Sequence, residues 1–381
     1  LPLISLVALL GGILNSLGKF AAMASAPILL NLFLISSLGI FADILETPGH
    51  GLAIGVAIGG LAQLIWLIEA CRRANALPRL VWPRWTPRVS RLLKFMLPAL
   101  LGAGVVQINL LIDVILASTL PTGSVSYLYY ADRLNQLPLA VIGIAISTAL
   151  LPNMSRNIQA GRLQEAKENQ EKSLEIGLML TIPAAFGLMV LSEPIVTALF
   201  QRGAFDTSSA ASTAIALVCY AAGLPAFVII KIFQPNFFAR HDTTTPVKIA
   251  AGSVVINLIL NLILMQYFAH AGLAMATSIA AWLSAAIFAI VLKTRNLYSP
   301  RKQLFGKIIR IILAATVMGL GLVALMEISG DFAQSSSLFG ICLLLLSIFC
   351  GGFIYFVSLF LFNGISKEEI VENLKRWSVR D

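Results

Sequence analysis

The sequence predicts an all-α membrane protein, a polytopic bundle of about 11 transmembrane helices, and three observations lead to this fold class. Of its 381 residues, 58% are hydrophobic and 12% are charged, about half the charged fraction of a soluble domain. The mean hydropathy is +0.88. Apolar stretches of about 20 residues, the length that crosses a bilayer as a helix, recur along the whole chain. They lack strand-type alternation, so the backbone must be hydrogen-bonded within helices.

Eleven stretches are long and apolar enough to cross the membrane. The first begins at Leu1-Pro2 without an initiator Met, and it lacks the basic start and cleavage site of a signal peptide. We therefore expect the N-terminal part to be missing. The predicted spans cover residues 1–17, 22–44, 51–71, 92–119, 124–152, 173–199, 208–236, 245–268, 271–293, 306–327 and 338–362.

The basic residues predict the orientation. A net charge of +9 would indicate nucleic acid as the partner of a soluble protein, but here 25 of the 27 Lys and Arg lie in odd-numbered connections, in the helix flanks beside them or in the tail. Because Lys and Arg accumulate in cytoplasmic loops, these connections and the C-terminus are predicted to be cytoplasmic. No nucleic-acid partner is expected. The two exceptions are Arg202, in a predicted outer loop, and Arg133, within a span.

A short motif recurs and predicts two lobes. Gly51-Leu52-Ala53-Ile54 opens span three, and Gly272-Leu273-Ala274-Met275 opens span nine. Both spans run inward, as expected for a parallel six-helix repeat, although chance similarity between Gly- and Ala-rich helices is an open alternative. If the repeat holds, three helices of the first lobe are missing. The predicted division is the last three helices of the N-terminal lobe (1–72), a basic linker (73–91), a complete six-helix lobe (92–293), two extra helices (294–362) and a cytoplasmic tail (363–381).

An enzymatic function is not expected. The three histidines, His50, His241 and His270, lie at span ends without metal-ligand spacing, and the four cysteines form no CxxC pair. The sequence contains no P-loop. The mixed-charge segment from Ser155 to Ser173 is predicted to form an amphipathic helix on the cytoplasmic side, as a solvated or interfacial surface element.

Charged residues within spans are better functional candidates, since each costs about 2.5–3.5 kcal/mol at the helix centre. Arg133 lies about nine residues, or ~13 Å, from the outer end of its helix, and shares a helical face with Tyr129 and Gln136. A guanidinium binds phosphate in a bidentate manner, so we predict that these three residues bind an anionic substrate. The alternative is that Asp113 or Asp132 neutralises Arg133 in a structural ion pair.

Asp113 could also belong to a cation site. Asn257 and Asn261 are separated by one helical turn on span eight, and Thr277 lies within span nine. Carboxylate, amide and hydroxyl oxygens suit Na⁺ or a proton. Spacing alone favours the alternative that the asparagines form hydrogen bonds between helices. Lys231, near the inner end of span seven, is expected to extend toward the membrane surface.

Several motifs resemble the MurJ/MviN family of lipid II flippases. Leu199–Phe205 (LFQRGAF) resembles the family signature LFxRGxF, with Arg202, Gly203 and Phe205 at matching positions. The resemblance covers essentially the whole chain. The other motifs that resemble the family are Tyr129–Leu134 (YYADRL) with Pro138 and Leu151-Pro152, Asp242–Pro246 (DTTTP), and Ser5-Leu6-Val7-Ala8 through Asn15.

The resemblance implies the two-lobe architecture of the multidrug/oligosaccharidyl-lipid/polysaccharide exporter superfamily, with fourteen helices of which these eleven are the last. It implies flipping of lipid II, the undecaprenyl-pyrophosphate-linked peptidoglycan precursor, from the inner to the outer leaflet of the bacterial cytoplasmic membrane by alternating access. Such a multi-pass carrier serves cell-wall biogenesis and cell shape. The resemblance also implies contact with membrane lipids and with the cell-wall synthesis machinery.

The resemblance also implies roles for particular residues. Arg133 matches a functional cavity arginine, while Gln136 stands where members often have an acidic residue. The sodium site of some members maps to Asp113, Asn257, Asn261 and Thr277, with the backbone carbonyl of Leu273. Because Asn261 replaces an acidic ligand, weaker sodium binding, or a proton as coupling ion, is expected. Spans ten and eleven correspond to the family's groove for the lipid tail.

Two alternatives stay open at this point. The chain could export another polyprenyl-linked glycan or a drug, although the deep cation Arg133 argues against a cationic drug. It could also be a truncated scaffold of cell-wall assembly that transports nothing.

Overall fold

The structure is a computed structural model that describes residues 2–41, 44–45, 47–78, 86–329 and 338–364. Within these ranges the regular structure is entirely helical. The chain divides into two compact units, Leu1–Ser90 and Arg91–Asp381. Most of the predicted cytoplasmic tail and residues 79–85 of the predicted linker lie outside the described residues.

The first unit is a bundle of three helices: α1 (Pro2–Ser16), α2 (Ala21–Phe41) and α3 (Pro48–Arg73). Two polar side chains of α3 donate hydrogen bonds to backbone carbonyls of α2, Gln63 at 2.8 Å and Trp66 at 3.2 Å. These directional bonds fix the position of α3 along α2, which non-directional apolar packing alone would not do. The buried apolar residues of α1 and α3 are Val7, Leu10, Leu14, Leu67 and Cys71.

The described residues of the second unit form nine further helices. They are α4 (Pro87–Ser118), α5 (Ser124–Pro138), α6 (Ala145–Gln159), α7 (Leu163–Val190), α8 (Ser192–Phe200), α9 (Thr207–Phe238), α10 (Thr244–Thr294), α11 (Lys302–Ser329) and α12 (Leu338–Leu361). A π-helical segment, Leu139–Ile144, joins α5 to α6 without a break. It follows Pro138, which has no N–H with which to continue the α-helical hydrogen bonds.

The long helix α10 is two spans. Its 51 residues would extend ~76 Å as one helix, more than twice a bilayer core. The backbone leaves helical geometry at Ala269 (φ 48°, ψ −127°). Because Asn257 before this kink donates to Thr277 after it (3.3 Å), the two halves fold back on each other.

The prediction of about eleven spans is confirmed. Among the described residues, eight helices are long and apolar enough to cross a membrane, and Pro2–Ser16 and Gln107–Ser118 are shorter apolar helices. Each predicted span coincides with one helix, with two consecutive helices or with one half of α10. The chain is therefore a multi-pass membrane protein.

Two local predictions were wrong. Residues 155–173 are not one continuous helix, because α6 ends and α7 begins on either side of a short turn at residues 160–162. The predicted span 173–199 is divided at Leu191 into α7 and α8. Pro194 explains the break, since its ring would clash with the carbonyl of Val190 in a continuous helix.

The two glycines of the repeated motif have the same local role. A Cβ atom at Gly51 would lie 3.2 Å from Cβ of Phe41, and one at Gly272 would lie 2.3 Å from the backbone oxygen of Leu264. Both glycines thus let a helix begin against the helix that precedes it. The two-lobe repeat stays a prediction.

Substitution of Gly272 by alanine is expected to destabilise the second unit. The added methyl group would overlap a backbone oxygen, and overpacking of this kind costs about 1–3 kcal/mol. The measurement is the temperature at which half of the detergent-solubilised protein is lost from its size-exclusion peak. Gly252→Ala is the matched control, because a Cβ there meets nothing within 4 Å. Equal stability of the two variants would contradict the tight contact.

Candidate functional site

The second unit contains a cavity of about 590 Å³. Helices α4, α5, α9 and both halves of α10 contribute to its wall, together with the π-helical segment. Most of the lining is apolar, and among the described residues three charged side chains take part, Asp113, Asp132 and Lys231. Burying charge in a largely apolar cavity is unfavourable unless a partner or water compensates, so these three residues mark the candidate site of the unit.

The structure brings together all five residues of the predicted cation site. Asn261 donates through Nδ2 to Oδ1 of Asp113 (2.7 Å) and to Oδ1 of Asn257 (3.0 Å). Asn257 donates to Oγ1 of Thr277 (3.3 Å), whose hydroxyl donates to the carbonyl oxygen of Leu273 (3.0 Å). One continuous polar cluster therefore joins α4 to both halves of α10, which we call the Asp113 cluster.

Sequence reasoning missed one member of this cluster. Asn109 donates through Nδ2 to Oδ2 of Asp113 (3.1 Å), so both carboxylate oxygens accept an amide hydrogen. The available signal was its position, one helical turn before Asp113 on α4. The hydrogen bond from Asn261 on α10 to Asp113 on α4 joins two helices, as the structural alternative predicts.

The oxygen atoms of the cluster suit a small hard cation. Asn261 is fully buried, and its Oδ1 has no hydrogen-bond partner, although buried polar atoms are normally satisfied. An amide oxygen without a partner, in a cluster that also contains a carboxylate and a hydroxyl, is an electron-pair donor of the kind that Na⁺ prefers. Among the described residues no group of three or more His, Cys, Asp and Glu could hold a metal ion, so the donor set differs from that of zinc sites.

Arg133 is held by neighbours on its own helix. Its guanidinium lies 4.8 Å from the centroid of the Tyr129 ring, a cation–π contact, and donates to Oε1 of Gln136 (3.5 Å). The other end of that amide donates to the Asp132 carboxylate. The predicted common face of Tyr129, Arg133 and Gln136 is therefore present, and both Tyr129 and Gln136 line the cavity.

The structural ion pair weighed as an alternative is not formed. In the part of the chain that the structure describes, no carboxylate lies within 4.0 Å of the Arg133 guanidinium. Asp132 accepts from Gln136 instead. Arg133 thus keeps its charge available for an anion.

The signature loop packs against the helix that carries Arg133. Tyr130, the neighbour of Tyr129 on α5, lies against the rings of Phe200 (4.6 Å between centroids) and Phe205 (5.4 Å). Gly203 turns the loop with a positive φ of 58°, and Arg202 donates to a backbone carbonyl of α8 (3.3 Å). The loop therefore supports one end of α5, a link between two motifs that sequence reasoning did not make.

The DTTTP motif ties the two ends of α10 together. Asp242 accepts from the backbone N–H of Thr245 (2.9 Å) and forms an ion pair with Arg295 (2.8 Å). The hydrogen bond from the Thr245 hydroxyl and the contact with Arg295 hold the pKa of Asp242 below its ordinary value. This cluster closes the hairpin of α10, which carries four residues of the Asp113 cluster.

Together, the membrane-spanning helices and the polar cavity within the second unit define a membrane transporter. Comparisons with known proteins identify the family of this transporter. The family model described as lipid II flippase MurJ matches residues 1–343. The chain is 40% identical over 381 residues to a protein named probable lipid II flippase MurJ from Rhizobium meliloti, covering 99% of this chain and 71% of the relative. The chain belongs to the lipid II flippase MurJ family, which consists of transporters and not of enzymes.

Two further matches agree with this assignment. A protein of the same name from Vibrio cholerae is 39% identical over 315 residues, covering 83% of this chain and 60% of that relative. A solved structure titled lipid II flippase MurJ, inward closed conformation, superposes with a TM-score of 0.79 at 24% identity, covering 94% of this chain and 71% of that one. That likeness shows a shared fold.

Proposed function

We propose that the protein flips lipid II from the inner to the outer leaflet of the bacterial cytoplasmic membrane by alternating access. The observation that carries this proposal is Arg133, a guanidinium within a membrane span that is oriented by Tyr129 and Gln136 and has no described carboxylate within ion-pair distance. A pyrophosphate is the anion that such a group binds best, through paired hydrogen bonds. The names of the relatives support lipid II as the cargo.

The energetics favour a polar cavity over passage through lipid. A pyrophosphate head group carries charge that hydrocarbon does not solvate, and moving it bare would cost far more than a carrier could recover. A hydrated cavity with a fixed cation replaces that lost solvation, as carriers do near the bilayer midplane. An inside-negative membrane potential then favours each outward-moving negative charge by about 2.3 kcal/mol per 100 mV.

In this proposal, the Asp113 cluster is the binding site of the coupling ion. With one formal negative charge, it suits a monovalent cation, Na⁺ or H⁺. Cation entry would neutralise Asp113 and change its hydrogen bonds with Asn109 and Asn261, which connect α4 to the first half of α10. Binding at this position can therefore alter the packing of helices that line the cavity.

An apolar groove between α11 and α12 fits the lipid part of the cargo. It has a volume of about 450 Å³ and is lined by Leu325, Phe349, Cys350, Phe353 and Ile354. No polar side chain is among these lining residues, so the groove suits a polyprenyl chain.

In the proposed orientation the C-terminus is cytoplasmic, and the opposite face is the one that would contact the cell-wall synthesis machinery.

Transport by this chain is tested by replacement of the cell's own flippase. The chain, which covers 60% of the length of the Vibrio cholerae relative, is expressed with the Rhizobium meliloti relative as positive control. We expect growth at the rate of the control and arrival of labelled lipid II in the outer leaflet. Growth failure at matched membrane expression, with lipid II retained inside, would favour the scaffold alternative. Export of another polyprenyl-linked glycan in place of lipid II would change the cargo.

A further inference from the structure

We propose that Asp132, Asn135 and Tyr220 form a saccharide-binding subsite in the wall of the cavity, which recognises the sugar part of the cargo. This inference rests on the proposed function and deepens it, because it names the residues that select a glycan-bearing head group over bare pyrophosphate. All three side chains line the cavity. Sequence reasoning did not identify Asn135 or Tyr220.

The observation that points to a ligand is the unpaired side chain of Asn135. This residue lies on α5 about eleven residues, ~16 Å, from the start of the helix, and it is only 3% exposed. Its Oδ1 atom has no hydrogen-bond partner among the described residues, although buried polar atoms are normally satisfied. Asparagines in membrane bundles usually bond to another helix, as Asn261 does to Asp113. The amide of Asn135 is instead available to a hydrogen-bonding ligand.

The amide of Asn135 can present either of its ends to the cavity. Rotation about the Cβ–Cγ bond of asparagine has a broad, roughly twofold profile, so the amide nitrogen and the carbonyl oxygen can exchange places. The nitrogen donates hydrogen bonds and the oxygen accepts them. A sugar hydroxyl also does both, so this amide fits a hydroxyl in either role.

Asp132 supplies a second polar group beside Asn135. The two residues are three positions apart, so their side chains lie on one face of α5. Oδ2 of Asp132 accepts a hydrogen bond from Gln136, which fixes the carboxylate, and a carboxylate offers about four acceptor sites in all. The carboxylate of Asp132 can therefore accept from a sugar hydroxyl while it keeps its bond to Gln136.

Tyr220 lines the same cavity from α9. It packs against the apolar cluster that contains Leu134, so α5 and α9 approach each other at the level of Asn135. The backbone beside Tyr220 is held by Ser278 on α10, whose hydroxyl donates to the carbonyl oxygen of Cys219 (2.6 Å). An aromatic ring in a fixed position can cover the apolar face of a sugar ring, and its hydroxyl can bond to the ligand.

Charge favours a sugar over a phosphate at this subsite. The carboxylate of Asp132 repels a pyrophosphate but accepts hydrogen bonds from uncharged hydroxyls. Inorganic cations find more oxygen ligands in the Asp113 cluster. The cavity volume of about 590 Å³ lies within the range of ~300–1,000 Å³ for ligand pockets, in which a few polar groups on an apolar wall orient the ligand. The uncharged glycan is therefore the part of the cargo that fits this subsite.

The test is a binding measurement on the 381-residue chain in nanodiscs. Lipid II, the same lipid with its sugars but without its peptide, and undecaprenyl pyrophosphate are titrated separately. We expect Asn135→Leu, which keeps a similar volume without the amide, to weaken binding of both sugar-bearing lipids about tenfold, or about 1.4 kcal/mol. Binding of undecaprenyl pyrophosphate should not change. Thr181→Val is the matched control, because it also removes a buried oxygen without a partner, but outside the cavity wall.

The three lipids separate the groups that Asn135 could contact. If Asn135→Leu lost affinity for undecaprenyl pyrophosphate as much as for lipid II, or lost affinity only for the lipid that carries the peptide, the saccharide subsite would be overturned. Unchanged binding of all three lipids by Asn135→Leu, with loss in Arg133→Gln, would overturn the subsite and leave the proposed function standing. Failure of the unaltered chain to bind any of the three would remove the proposed function itself.

A stability measurement separates recognition from a structural role of Asn135. Replacing an unpaired buried amide by an apolar side chain of similar size removes a polar group that gains nothing from burial. The thermal unfolding midpoint of ligand-free Asn135→Leu should therefore equal or exceed that of the unaltered chain. A clearly lower midpoint would show that Asn135 serves the fold and would contradict the subsite. Tyr220→Phe should weaken lipid II binding about threefold, and unchanged affinity would exclude the Tyr220 hydroxyl from the subsite.

Discussion

Replacement of Arg133 by glutamine in the full-length protein is expected to reduce lipid II transport by at least about 100-fold. Hydrogen bonds to a charged group contribute about 1.5–3 kcal/mol each, and a bidentate guanidinium makes two of them to a phosphate. Glutamine keeps a polar side chain but loses the charge and the fork geometry. Because no described carboxylate forms an ion pair with Arg133, we expect the fold to survive the substitution.

The measurement for Arg133 is growth with the variant as sole flippase, together with accessibility of lipid II to an enzyme added outside the cell. Arg156→Gln serves as the control, since Arg156 is exposed near the end of α6 and donates to Asn153 (2.6 Å). Arg133→Lys should recover part of the activity, because an ammonium keeps the charge but binds phosphate through a single point. Normal growth of Arg133→Gln at matched expression would disprove the role proposed for this residue.

Replacement of Asp113 by asparagine is expected to abolish the response of the protein to its coupling cation. Asparagine has nearly the same shape, and its Oδ1 can still accept the amide hydrogen of Asn261 that Asp113 accepts at 2.7 Å. The formal charge, however, is lost. A cation at 100 times its dissociation constant stabilises the folded state by about 2.7 kcal/mol, and this stabilisation should disappear in the variant.

The cation response is measured as the shift in thermal unfolding of the nanodisc-bound chain between sodium and choline chloride, and between pH values at constant sodium. A shift with sodium identifies Na⁺, and one with pH alone identifies H⁺. Asp132→Asn is the matched control, because it removes the other carboxylate of the cavity and should leave the response in place. Full transport by Asp113→Asn under every ion gradient would refute the coupling proposal.

Much of the candidate site was predictable because charge within a span is rare. Asp113 and Arg133 were identifiable from their depth, and Asn257, Asn261 and Thr277 from helical spacing combined with the family resemblance. Spacing alone favoured a purely structural role for the asparagines. The buried oxygen of Asn261 without a partner, which points toward a ligand, depends on the three-dimensional orientation of one amide group.

Other parts of the site could not be predicted from linear patterns. Asn109 joins the cluster because α4 presents it one turn before Asp113, and many polar residues have such spacing without any contact. Lys231 resembles a surface-reaching lysine in the sequence, since distance from a helix end does not tell whether the side chain faces lipid or cavity. The packing of Tyr130 between Phe200 and Phe205 joins residues 70 or more positions apart, which no local pattern encodes.

The sequence by itself determined the fold class, the number of spans and the distribution of basic residues. These depend on the length of apolar stretches and on counts of Lys and Arg, which are properties of the linear chain. The tertiary structure alone decided that Arg133 is oriented by Tyr129 and Gln136 without an ion pair, that the Asp113 cluster is continuous, and that Lys231 lines the cavity. Each of these depends on which side chains meet across different helices or turns, and a hydrogen bond or ion pair requires atoms within a few ångströms.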